Sequence, residues 1–118
     1  MAKSYEDLVS EAKAETEQTD PETVHDAMGA EDVTVIDVRE PDEFEAGHIP
    51  GAKPLPRGLL EYKAAEELPD KDARIVVHCA LGGHGSLAAK SPKEMGYTNV
   101  ANMEGGLSAW REKGYEVE

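Results

Sequence analysis

The sequence predicts an α/β fold: a central parallel sheet flanked by helices, with an extra helix at the N-terminus. Three observations predict it. Residues 33–38 and 74–78 are β-branched and nearly continuous in apolar character, as strands buried on both faces of a parallel sheet are. Helical segments lie between and after them, and this alternation calls for right-handed crossovers. The 118 residues amount to about one ordinary domain, which leaves no room for a separate cofactor domain.

From the N-terminus, Tyr5, Leu8, Val9 and Ala12 recur at helical spacing with neither Gly nor Pro, and the Ser4/Asp7 pair resembles a capping box. A short acidic helix is expected to about Thr16, its carboxylates forming a solvated face. Residues 1–17 are assigned to this helix and 18–118 to the domain proper. Asp20-Pro21-Glu22 reads as an N-cap followed by proline at the first helical position, with Gly29 as the stop. After the strand at 33–38, residues 41–46 and about 58–68 have helical character. The strand at 74–78 is followed by a helix over 86–95, a short strand at 99–102 and a closing helix over 107–113. Pro92 lies inside the third of these helices and removes a hydrogen bond to Ala88 at a cost of about 3 kcal/mol, so a kink or an early stop near Ser91 is expected. No internal repeat and no low-complexity linker interrupts the pattern.

Charge and cysteine content narrow the chemistry. Twelve Lys and Arg stand against 25 Asp and Glu, a net charge of −13; residues 1–32 carry −8 of it and residues 33–118 carry −5. Nucleic acid and anionic membrane are poor partners for that field, because phosphate recognition runs on basic patches. The single cysteine, Cys79, excludes an internal disulfide framework and a multi-cysteine metal cluster. No apolar segment follows Met1, and no apolar run approaches the roughly 18 residues of a membrane span, so a soluble cytoplasmic protein is expected.

Cys79 ends the second strong strand and opens the run Ala80-Leu81-Gly82-Gly83-His84-Gly85. Open α/β sheets bind ligands outside the carboxyl ends of their strands. Glycines there let the backbone curl so that successive N–H groups point inward as an anion nest, and a following helix N-terminus adds roughly half a positive charge. A thiol in that setting is a candidate nucleophile that forms an anionic covalent intermediate. A buried structural cysteine at a strand end is the alternative. Gly83-x-Gly85-x-x-Ala88 also matches a dinucleotide-binding pattern, but too little chain follows it for half a cofactor domain. The phosphate-cradling G-x-x-x-x-G-K-[ST] pattern is absent.

Four ordered blocks carry a resemblance. They are Val35-Ile36-Asp37-Val38-Arg39-Glu40 with Glu43-Phe44-x-x-Gly47-His48-Ile49-Pro50-Gly51-Ala52; Cys79 with its glycine loop; Gly96-Tyr97-Thr98-Asn99-Val100; and Glu104-Gly105-Gly106-x-x-x-Trp110. Over about residues 18–118 the chain resembles a single-domain rhodanese, a sulfurtransferase domain. The resemblance implies a rhodanese-like fold and a Cys79 that takes a sulfane sulfur from thiosulfate or a persulfide donor. As a persulfide, Cys79 would pass that sulfur to cyanide or to the thiol of a small molecule or a protein. Backbone N–H groups of Ala80, Leu81, Gly82, Gly83, His84 and Gly85 would cradle the terminal sulfur, and Arg57 resembles the arginine at the mouth of some single-domain rhodaneses. No metal or organic cofactor is implied.

The family's loop reads Cys, four residues, Arg, then Ser or Thr; here His84 and Gly85 occupy those last two positions. An imidazole that titrates near neutrality replaces a permanently charged guanidinium, which favours reduced thiosulfate activity. A catalytically weak module that binds protein partners or senses redox state is the alternative reading. Phosphatases of related fold place Arg at the sixth position after their cysteine, where this chain has Gly85. Of the remaining residues, His48 is expected to be a structural hydrogen-bonding group, His25 a plain surface group, and Trp110 core with an edge at the site. His78 and Cys79, adjacent in a strand, should point to opposite faces, against a Cys–His dyad. Arg39 is expected to tie down its own turn in an ion pair. Asp37 either bonds loop N–H groups or holds a turn.

Overall fold

The computed structural model describes residues 2–30, 32–79 and 83–118, with the side chains of 83–85 excepted. Helix α1 spans Tyr5–Glu15, α2 Pro21–Gly29, α3 Pro41–Ala46, α4 Leu60–Glu67, α5 Gly83–Glu94 and α6 Gly106–Glu112; a 3-10 turn at Arg57–Leu59 leads into α4. Strands β1 (Glu17–Thr19), β2 (Thr34–Asp37), β3 (Lys53–Pro54), β4 (Ile75–His78) and β5 (Val100–Met103) form one parallel sheet in the order β1-β5-β4-β2-β3. The expected class, a rhodanese-like parallel sheet flanked by helices with an additional N-terminal helix, is the one observed.

Local sequence explains most boundaries. Ser4 and Asp7 close the capping box, each side chain accepting from the other's backbone N–H at 3.1 Å, and Asp20 accepts from the Thr23 N–H at 2.7 Å to start α2. Strands β2 and β4 are buried because helices cover both faces. On one face Ile36, Ile75 and Val77 pack with Leu60, Ala64, Ala88 and Ala89 of α4 and α5; on the other Val35 and Val76 pack with Val24, Leu107 and Trp110 of α2 and α6. Each large side chain sealed there contributes roughly 1.5–3 kcal/mol.

The edge strands β1 and β3 are not among the expected elements. Glu17-Gln18-Thr19 and Lys53-Pro54 have no strand pattern of their own; they pair because β5 and β2 each present an open edge, with Glu17 opposite Ala101 and Ile36 opposite Lys53. A second correction concerns Pro92. Helix α5 does not stop near Ser91 but runs to Glu94. Pro92 falls in the last turn, where the Tyr97 N–H returns to the Pro92 carbonyl at 3.1 Å, the Gly96 N–H returns to Lys93 at 3.2 Å, and Gly96 adopts φ +96°. This left-handed closure, rather than the proline, terminates the helix.

Helix α1 lies against α5, the helix that follows Cys79. Ala12 is fully buried, Glu15 pairs with Lys90 at 3.0 Å, and Lys93 Nζ donates to the Glu15 carbonyl.

Candidate active site

Strand β4 is the middle strand of five, and Cys79 is the residue after its end. Side chains alternate along it. Ile75, Val77 and Cys79 belong to the cluster under α4 and α5, and Val76 belongs to the opposite cluster. His78, fully buried, therefore shares the α2/α6 face with Val76, as its adjacency to Cys79 predicted. Its Nδ1 lies 3.2 Å from the Cys79 carbonyl oxygen and its Nε2 faces Asp37 Oδ2 at 3.7 Å. Both ring nitrogens are thus directed away from a dyad with the thiol. Burial lowers the His78 pKa, opposed by the Asp37 charge and the contact with the Cys79 carbonyl, and reinforced by Arg39.

The Cys79 side chain is 5% exposed. Its carbonyl also accepts the backbone N–H of Leu107, in the first turn of α6, at 2.8 Å. Helix α5 begins at Gly83, three residues earlier than the sequence pattern suggested. Of the expected cradle, Ala80, Leu81 and Gly82 lie outside the described residues; Gly83, His84 and Gly85 form the opening turn of α5, with their side chains outside the description. The N-terminus of a 12-residue helix therefore starts four residues after the thiol.

Asp37 and Arg39 are joined where β2 ends. Asp37 Oδ1 accepts the Arg39 N–H at 3.0 Å, and the guanidinium returns to both carboxylate oxygens, with Nη2 2.7 Å from Oδ2. Nη2 also donates to the Gly47 carbonyl at 2.6 Å. The turn-holding ion pair expected of Arg39 is present, and among the described residues Asp37 serves that turn. The Arg39 pKa is raised first by its hydrogen bonds to Asp37, with smaller contributions from the Asp37, Glu43 and Cys79 charges.

Arg57 is anchored at the same rim: its N–H donates to the Val38 carbonyl at 2.9 Å, and Val38 in turn donates to the His78 carbonyl. Its guanidinium is half exposed and pairs with Glu61 at 2.9 Å. His48 is structural, as expected. Its Nδ1 meets the Phe44 carbonyl at 2.8 Å, its ring stacks on Phe44, and its backbone exchanges two hydrogen bonds with Glu118. Trp110 is core, donating through Nε1 to the Glu116 carbonyl at 2.8 Å. His25 is an exposed surface group, as expected, and its ring also stacks on Tyr115 at 4.0 Å.

A polar chain escaped the sequence reading. Asn102 Nδ2 donates to Gln18 Oε1 at 2.9 Å and to Ser86 Oγ at 3.1 Å, joining β1 and β5 to the first turns of α5. Asn102 and Ser86 are fully buried. An asparagine inside an apolar strand was the available signal. Among the described residues, no group of three or more His, Cys, Asp or Glu side chains could hold a metal ion, and no helix is long and apolar enough to cross a membrane.

A lone cysteine at the carboxyl end of the central strand of a parallel sheet, followed by a helix N-terminus, defines an α/β domain with a strand-end thiol site. The family described as "Rhodanese-like domain" matches residues 20–113, and the chain belongs to it. It is 34% identical over 87 residues to a protein named sulfurtransferase from Allochromatium vinosum, covering 74% of this chain and 79% of that one. It is also 34% identical over 83 residues to the thiosulfate sulfurtransferase GlpE of Pseudoalteromonas translucida, covering 70% and 77%. A solved structure from Rhodopseudomonas palustris, titled as a protein of unknown function and possible tyrosine phosphatase, superposes with a TM-score of 0.87 at 34% identity, covering all of this chain and 96% of that one. The family is thus one with sulfurtransferase members.

Proposed function

We propose that the protein is a rhodanese-type sulfurtransferase with Cys79 as its sulfur carrier. The Cys79 thiolate attacks the outer sulfur of thiosulfate; the S–S bond breaks, sulfite leaves with its electron pair, and Cys79 becomes a persulfide. Cyanide, or the thiolate of a small molecule or protein, then attacks the terminal sulfur. The second S–S bond breaks, its electrons return to Cys79, and thiocyanate or a new persulfide departs. The first-turn N–H groups of α5 hold the negative terminal sulfur, and Arg57 draws the anionic donor to the rim.

The observation that carries this reading is Cys79 itself, at the end of the central strand and four residues before the start of α5. Sulfurtransferase relatives support it. Mass spectrometry of the intact chain after incubation with thiosulfate tests it. Wild type should gain the mass of one sulfur atom, lose it to cyanide, and gain nothing as Cys79→Ser. No adduct on wild type, or an adduct that survives the substitution, overturns the proposal.

His84 favours a second reading, a weakly active module that binds a protein partner, because it stands where family members carry arginine. The double substitution His84→Arg with Gly85→Ser separates the two. A large gain in turnover supports the module reading; an unchanged rate supports a natural donor other than thiosulfate. Phosphatase chemistry is disfavoured by Gly85, and absence of phosphate release from an aryl phosphate is the matching expectation.

A further inference from the structure

The Cys79 carbonyl oxygen has two neighbours from the face opposite its thiol: the Leu107 N–H at 2.8 Å and His78 Nδ1 at 3.2 Å. His78 is fully buried, and among the described residues its Nε2 has no hydrogen-bond partner. Such a nitrogen carries a desolvation cost that a phenyl ring of similar volume would avoid. What the imidazole supplies and a phenyl ring does not is a donor to the Cys79 carbonyl. The proton belongs on Nδ1, since that nitrogen is within hydrogen-bond distance of an oxygen, whereas Nε2 stands 3.7 Å from Asp37 Oδ2. The charged groups facing the ring are Asp37, engaged by Arg39, and Arg39 itself. Burial lowers the ring's pKa and so favours its neutral form.

We propose that His78 is a positioning residue for the Cys79 thiol, fixing the Cys79 carbonyl so that the thiolate and the persulfide it forms are presented to the N-terminus of α5. This inference rests on Cys79 being the nucleophile. Two physical effects follow from the contact. The carbonyl belongs to the residue that carries the thiol, so holding it restrains the Cys79 backbone from which the reacting side chain projects. Two donors on the same carbonyl also draw negative charge away from the oxygen closest in sequence to the reacting sulfur. The linkage requires no movement of His78 toward the thiol. It also explains how a histidine on the wrong face for a dyad can matter to the site.

Three variants of the full chain test it: His78→Phe, His78→Asn and His78→Gln. The asparagine amide reaches the Nδ1 position and can still donate to the carbonyl; the glutamine amide reaches the Nε2 position and cannot. Two readouts apply, the pH profile of Cys79 alkylation by iodoacetamide and the rate of sulfur loading from thiosulfate. His78→Phe and His78→Gln should move the alkylation profile to higher pH and slow loading about tenfold, while His78→Asn stays within about threefold of wild type. A merely space-filling role would change melting temperature without this Asn-over-Gln order. Profiles identical to wild type in all three, or equal losses in Asn and Gln, overturn the proposal. If His78→Phe fails to fold, the Asn and Gln comparison decides alone. If alkylation follows the predicted order but wild type never acquires sulfur, the sulfurtransferase reading fails and His78 is left as a positioning residue for the Cys79 thiol alone.

Discussion

Arg39 grips Asp37 from two residues away. Nη2 lies 2.7 Å from Oδ2 and Nε 3.0 Å from Oδ1, and the carboxylate is fully buried. Removing the cation leaves a charge in the interior with no counter-ion, the costliest way to break such a pair. Arg39→Met should therefore lower stability by about 3 kcal/mol, read as a shifted urea midpoint at unchanged slope. A loss below about 1 kcal/mol would show that the pair acts as a solvent-screened surface contact.

Gly105 caps α6 at φ +76°, and a Cβ added there would lie 2.5 Å from the Cβ of Ala109. A left-handed backbone conformation costs a side-chain-bearing residue roughly 1–2 kcal/mol, and the clash adds to it. Gly105→Ala should destabilise the fold by at least about 2 kcal/mol in urea denaturation. Because the first turn of α6 donates the Leu107 N–H to the Cys79 carbonyl, the variant should also load sulfur more slowly. Unchanged loading in a destabilised variant would separate α6 from the site.

Stability should begin to fall at a higher pH than carboxylate titration alone would dictate. The folded-state pKa of His78 lies below its unfolded value, so above about pH 6.5 both states hold a neutral ring. Below that, the unfolded chain takes up a proton that the folded chain refuses, and unfolding is favoured by up to about 1.4 kcal/mol per pH unit until the folded value is reached. Urea midpoints measured from pH 8 to 5 should show this decline in wild type and a shallower one in His78→Asn. Equal slopes in the two proteins would remove His78 as the cause.

A net charge of −13 repels a thiosulfate dianion before it reaches the site. Raising salt from about 0.01 to 0.15 M shortens the Debye length from roughly 30 to 8 Å, which screens the distant carboxylates of α1 and α2 more than groups at the rim. kcat/KM for thiosulfate should therefore rise with salt. A fall would mean that local positive groups such as Arg57 already dominate the field at the mouth.

Much of this was legible in the chain. Ser4/Asp7 and Asp20/Pro21 mark helix starts through contacts three residues apart, and the apolar runs that became β2 and β4 signal burial on both faces. The cysteine at the end of β4 followed from the same pattern. Pro92 misled because the stop is set beyond it, where Gly96 and Tyr97 close the helix. The stacking of exposed His25 on Tyr115 had no local signal, because the two residues are far apart in the chain.

The sequence by itself determined the parallel α/β class, the strand whose end carries Cys79, and the unusual His84-Gly85 pair, because caps, periodicity and loop composition are encoded within a few residues. Only the tertiary structure decided the rest. The crossovers laid polar β1 and β3 on open sheet edges, set Asp37 beside His78 across two strands, and brought the first turn of α6 to the Cys79 carbonyl. Those partners are separated by tens of residues, so no local pattern specifies them. They meet because each backbone donor or acceptor withdrawn from water must find a partner, and the packed sheet offers only certain ones.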